Sequence, residues 1–165
     1  MRGLFVLLLW LAAPAWAADP DLAAPLEIEA DRVVLDEAAG ESVYQGSVRA
    51  IQGHTRLDAD TLRLYRRGER LVRVVAEGNP ARLVKSPPGR PPLEARARTI
   101  DYRLDRARVI LSGDAVLVQG GDRFEGPRIE YDLETQRVVA GGAPGEGRVR
   151  VILTPETLQG GEGGE

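Results

Sequence analysis

From Leu26 to Leu153 the chain alternates apolar and polar residues with a period of two. "RLVRVVAEG" sets Val72, Val74 and Ala76 on one side and Leu71, Arg73, Val75 and Glu77 on the other. "VYQGSVRAI" sets Tyr44, Val48 and Ala50 against Gln45, Ser47 and Arg49, and "RVRVIL" sets Val149, Val151 and Leu153 against Arg148 and Arg150. Successive side chains of a strand point to opposite faces, so the pattern predicts half-buried antiparallel strands. Turn-forming stretches punctuate them: "EAAGE", "RRGER", "EGNP", "SPPGRPP", "GGD" and "GGAPGEG". At usual strand lengths of about 5–6 residues, this spacing predicts on the order of a dozen or more strands. Helical periodicity is weak, and the expected fold class is all-β.

The pattern also repeats. "IEADRVVL" from Ile28, "LDADTLRLY" from Leu57, "ARARTIDY" from Ala95 and "FEGPRIEY" from Phe124 start 29, 38 and 29 residues apart. Each carries an apolar pair two residues apart: Val33 and Leu35, Leu62 and Leu64, Ile100 and Tyr102, Ile129 and Tyr131. A glycine follows each return strand, at Gly46, Gly78, Gly113 and Gly142, and "SGDAVLVQGG" matches "QGSVRAIQG". One two-part module therefore occurs twice, over about 26–85 and 93–153, with "SPPGRPP" at 86–92 between the copies. A unit of this size cannot bury its apolar face alone, so the copies must stack around one shared interior.

Composition narrows the function. "MRGLFVLLLWLAAPAWAA" has one positive charge, a short apolar run, Pro14 and an A-x-A site, which predicts a secretory signal removed after residue 17. Residues 18–25 then form a linker, 26–158 the folded domain and 159–165 a disordered tail. The chain contains no Cys, so disulfides and thiolate metal sites are excluded. A formal net charge of -3 and only 5% aromatic residues argue against nucleic acid.

The candidate chemistry is sparse. The acidic pairs Glu27/Glu29, Asp58/Asp60 and Asp132/Glu134 lie opposite the apolar face, where solvated residues belong. His54 is the single histidine, so neither a His-centred triad nor a zinc site can be assembled. Ser42, Ser47, Ser86 and Ser112 lack a nucleophile-elbow context, and the glycine-rich stretches do not precede helices. No metal, cofactor or catalytic residue is expected.

Two features remain. The first is the inward set: Ile28, Val48, Leu57 and Leu62; Val72, Val74 and Leu83; Ile100, Val109, Leu111 and Leu117; Ile129, Val138, Val149 and Val151. It is aliphatic, and beyond the leader the chain has one Phe and no Trp. Such a set reads either as a dry core or, given so little aromatic bulk, as the walls of a slot left partly open. The second feature is the pair of β-prone ends, "LEIEADRVVL" with Glu27, Ile28 and Glu29 at one and "GRVRVILTP" with Val149, Arg150, Val151 and Ile152 at the other. No helix or disulfide is available to cover them, so they would offer edges for further pairing.

In order and spacing, "EGNPARL" at 77–83 and "ARTIDY…LSGDAVLVQGGD" from 97 to 122 resemble the LptA family of periplasmic lipopolysaccharide-transport proteins, within the OstA-like superfamily. The likeness spans about Leu26 to Leu153, and "SPPGRPP" departs from it in being richer in proline. It implies a twisted, V-shaped antiparallel β-jellyroll built from two stacked repeat modules and open at both edge strands. It further implies that lipid A acyl chains lie between the sheets and that copies join head to tail. The implied partners are an LptC-like inner-membrane protein and an LptD-like outer-membrane protein. Two other readings follow from the same residues: an LptC-like component that keeps its N-terminal anchor, and a structural β-solenoid or adhesin whose inward face is only core.

Overall fold

The computed structural model describes residues 23–142 and 147–155; the expected leader, the start of the linker and the tail lie outside them. Alternation becomes strand throughout: β1 (Leu26–Glu29), β2 (Arg32–Asp36), β3 (Glu41–Gln52), β4 (Thr55–Arg67), β5 (Arg70–Lys85), β6 (Leu93–Arg103), β7 (Arg108–Gln119), β8 (Asp122–Asp132), β9 (Arg137–Ala140) and β10 (Arg150–Ile152). β3 to β8 form an antiparallel meander. β1 and β2 both pair with β3, and β9 and β10 both pair with β8, giving one open sheet.

Ten strands replace the expected dozen or more because β3 to β8 bend in the middle without breaking. Each of the five ladders between them shifts register there: at Gln45/Val48 on β3, Asp58/Thr61 on β4, Glu77/Ala81 on β5, Arg96/Thr99 on β6 and Ser112/Ala115 on β7. These bulges line up as a seam. The repeat is visible in the backbone at this seam, where Gly46 and Ser47 have φ of 83° and 45° and Gly113 and Asp114 have 81° and 50°. A Cβ on Gly113 would stand 2.9 Å from Cβ of Arg98 on the next strand, so glycine is needed for both conformation and space. The terminal strands break at the seam instead, between β1 and β2 and between β9 and β10.

Folding at the seam yields two facing layers. The first contains β1, the first halves of β4, β6 and β8, the second halves of β3, β5 and β7, and β10. The other contains β2, the remaining halves and β9. In the first layer one inward row runs Ile28, Ala50, Leu57, Leu83, Ala95, Leu117, Phe124, Val151. Its alternate members are the four repeat starts found in the sequence. In the second layer the four repeated apolar pairs fall on two inward rows, one through Val33, Leu62, Ile100 and Ile129 and one through Leu35, Leu64, Tyr102 and Tyr131.

Side-chain size follows the taper of the V. Beside the seam the first layer pairs Val48 with Ala59, Ala81 with Ala97 and Ala115 with Gly126, where the layers converge. Farther out stand Leu57, Leu83, Leu117 and Phe124. A taper of this kind has little room for large rings, which accounts for the scarcity of aromatics. Both layers contribute to one core in which Leu62, Ile100, Leu111, Leu117 and Ile129 are fully buried. Each such side chain contributes about 1.5–3 kcal/mol through burial.

Candidate functional site

The layers part toward the free ends of the strands at the N-terminal side of the sheet. There they leave an apolar cleft of about 80 Å³. Leu26, Ala50, Leu57 and Leu83 face it from the first layer, and Leu62, Leu64, Leu71, Val74, Ile100 and Tyr102 from the second. Leu104, carried by a 3-10 turn between β6 and β7, closes one side. Gln52 and Thr55 are polar members of this lining, which contains no ionised side chain. At the C-terminal half the layers meet, and Gln119 Nε2 on one donates a hydrogen bond to the Tyr131 hydroxyl on the other at 3.3 Å.

Of the fifteen inward residues expected, Leu57, Leu62, Val74, Leu83 and Ile100 line this cleft. Val48, Val109, Leu111, Leu117 and Ile129 are buried in the shared core, with Ile28 and Val138 packed against it. Val72 is a correction. Tyr65 pairs with Arg73 and Arg66 with Leu71, so Val72 is the unpaired residue of a bulge, and Leu71 takes the inward place. Val149 and Val151 also differ from a core position. Val151 stands opposite Phe124 and Val149 lies over Gly126, yet they are 48% and 39% exposed, because β10 has a strand neighbour on one side only among the described residues. Leu64 and Tyr102, members of the repeated apolar pairs, and Leu71 and Leu104 stand outside the expected inward set. The apolar pair Leu62/Leu64 was the available signal, whereas Leu71 requires knowledge of the bulge.

Among the described residues, the ion pairs of Asp58 and Asp101 lie on the outer faces. Asp58 accepts from Arg56 at 2.8 Å and from Arg49 at 3.4 Å, and the Arg56 hydrogen bond holds its carboxyl below the ordinary value. Asp58 of the pair Asp58/Asp60 is thus tied to arginine. Among the described residues no cluster of His, Asp and Glu can hold a metal. Asp101 is the most enclosed acid. Burial opposes its ionisation, but Arg73 (2.8 and 3.0 Å) and Arg103 (3.2 Å) outweigh that and hold the carboxyl below its usual range. Arg73 also lies 5.4 Å from the Tyr65 ring centre.

The sheet edges number four among the described strands. The edges of the first layer, β1 and β10, are those anticipated. β2, which falls within "LEIEADRVVL", and β9 edge the second layer; β9 is not among the expected ends, because β-propensity alone does not show that a strand has a neighbour on one side only. Val33, Val34 and Leu35 on β2, and Val139 on β9, are exposed.

Fold and site together define an open β-jellyroll whose layers enclose an aliphatic cleft and whose ionic networks lie outside it. Residues 27–137 match the family model of the "LptA/(LptD N-terminal domain) LPS transport protein". The lipopolysaccharide export system protein LptH of Pseudomonas aeruginosa is 36% identical over 150 residues, 86% of each chain. The lipopolysaccharide export system protein LptA of Escherichia coli K12 is 30% identical over 154 residues, 92% of this chain and 83% of the relative. The crystal structure of LptH, described as the LptA-homologous periplasmic component of the lipopolysaccharide transport device, superposes with a TM-score of 0.74 at 33% identity. It covers 82% of this chain and 99% of that one. The chain belongs to the LptA/LptD N-terminal-domain family of lipopolysaccharide transport proteins.

Proposed function

We propose that this chain is a periplasmic carrier that shelters lipid A acyl chains between its two layers and hands them on toward the outer membrane, making and breaking no covalent bond. The observation that carries the reading is the cleft, because it is aliphatic, free of ionised groups and lined by both layers at once. Moving hydrocarbon from an apolar site into water costs about 0.8 kcal/mol per CH₂, so a chain of about 12 carbons faces a barrier of about 10 kcal/mol. An apolar wall removes that barrier without catalysis.

Size dictates how the cleft is used. About 80 Å³ is less than three times the volume of a water molecule, which is about 30 Å³ in the liquid. Only a few methylene groups fit. Admitting whole acyl chains therefore requires the layers to part about the seam. That motion leaves the ladder within each layer intact and breaks side-chain contacts together with the Gln119–Tyr131 hydrogen bond. The other ends of the route are an LptC-like protein at the inner membrane and an LptD-like protein at the outer membrane, reached by copies joined end to end through their edges. One family model describes both LptA and the N-terminal domain of LptD. A shared fold with the same kind of edges lets pairing pass from one protein to the next.

Titration of the purified protein with lipopolysaccharide tests the reading. Saturable binding is expected, lost on Val74→Asp in the cleft and kept on Val116→Asp on the outer face, with circular dichroism showing both variants folded. Equal binding by the two variants would favour the alternative in which the interior is only core.

A further inference from the structure

The end-to-end joining proposed above has a register that the two ends of the sheet already encode. In an antiparallel ladder, directly opposed pairs alternate between hydrogen-bonded and non-hydrogen-bonded types. Each inward row runs through eight strands and therefore seven pairs. The first and last pairs of a row are of one type, so the free sides of Ile28 and Val151 are of one type as well. Eight strands also leave β1 and β10 running in opposite directions. A second copy can then place its β1 beside β10 and extend the sheet antiparallel, with Val151 opposite Ile28.

We infer that copies of this chain join in that unslipped register through both layers at once, held by Arg150 opposite Glu29 in the first layer and Arg137 opposite Asp36 in the second. The outer row of the first layer begins at Glu29 and ends at Arg150. In the second layer one outer row begins at Asp36 and ends at Arg137, and the next begins at Val34 and ends at Val139. These three rows finish in opposite charges or matched aliphatics, while the other outer row of the first layer runs from Glu27 to Ile152. Continuing them covers Leu35, 62% exposed on β2, with Val138, and covers Val34 with Val139. A slip of two residues keeps a charge match in the first layer, with Arg150 opposite Glu27. The second layer forbids it. There the slip either puts Val139 opposite Asp36 and carries Arg137 past the end of β2 to Ala38, or puts Val139 opposite Arg32 and Arg137 opposite Val34. Both layers belong to one body, so a single register satisfies both. The inward rows continue across the joint, and the apolar wall passes unbroken from copy to copy.

The chain has no cysteine, so paired cysteines report the register directly. Directly opposed residues bring Cα atoms to about 4.5–5.5 Å, within disulfide reach, whereas diagonal neighbours lie about 7–8 Å apart. Under oxidation, Glu29→Cys/Arg150→Cys and Asp36→Cys/Arg137→Cys are each expected to give a reductant-sensitive ladder of oligomers. The slipped pair Glu27→Cys/Arg150→Cys is expected to remain a single band. The inference rests on self-association, and sedimentation of the unmodified protein separates the two claims. A chain that is monomeric at every concentration overturns end-to-end joining and the register with it. A chain that assembles but crosslinks through the slipped pair, or through neither opposed pair, overturns the register alone.

Discussion

Filling the cleft should make the empty protein more stable and a poorer carrier. Ala50 lines the cleft opposite Leu57 and beside Ile28. Ala50→Leu adds three carbon atoms to a space of about 80 Å³. At roughly 24 cal/mol per Å³ of cavity removed, complete filling is worth at most about 2 kcal/mol. Imperfect fit reduces this, and about 1 kcal/mol is the expected gain. The added side chain occupies the volume in which acyl methylenes begin to insert, so the lipid must displace it. Losing contact for two or three methylenes, at about 0.8 kcal/mol each, weakens binding by about 2 kcal/mol, or roughly thirtyfold. Urea denaturation gives the first quantity and titration with lipopolysaccharide the second. A variant that gains stability and binds lipid as tightly as its parent would show that the cargo lies elsewhere.

Removing the guanidinium in Arg73→Ala leaves enclosed Asp101 with Arg103 alone; because Arg73 is 42% exposed, the loss is about 1–2 kcal/mol at neutral pH rather than that of a fully buried pair. The Asp101 carboxyl is held below its ordinary value of 3.8, so this stabilisation is present above that pH and fades as pH falls through the lower folded value. The gap between parent and variant in urea midpoint should therefore close in acid, and a constant gap would refute the assignment. Tyr131→Phe removes the hydrogen bond that joins the layers at the C-terminal half, with an expected loss of about 0.5–1.5 kcal/mol and faster uptake of a fluorescent acyl probe in stopped flow; unchanged uptake would show that this contact does not hold the layers together. Gly113→Ala forces a Cβ against Arg98 at a φ of 81° and should cost about 1–3 kcal/mol in urea denaturation, while Gly68→Ala, whose Cβ meets nothing within 4 Å, should cost less.

Much of this arrangement was legible in the sequence because the repeat and the ladder are one pattern. Ile28, Leu57, Ala95 and Phe124 mark repeat starts in the sequence and alternate places on one inward row in the fold. Gly46 and Gly113 were visible as repeated glycines, and the structure gives them the same left-handed turn. What escaped the reading depends on interruptions of the period. The bulge that sets Val72 aside and turns Leu71 inward changes the phase of β5 without changing its composition. The bend at the seam keeps β5 continuous through "EGNP", where turn residues suggested a break. β9 reads as an ordinary strand, and its standing as an edge emerges only once it is seen to share β8 with β10. The width of the cleft is set by how closely the alanines of the seam let the layers approach, a three-dimensional quantity that an inward list cannot supply.

The most direct measurement places a photo-crosslinking amino acid at Val74, inside the cleft, and at Val116, of the same side-chain type on the outer face, and irradiates each with radiolabelled lipopolysaccharide. Adducts from Val74 and none from Val116 are the predicted result. Adducts from Val116 alone, or equally from both, would contradict a cargo carried between the layers.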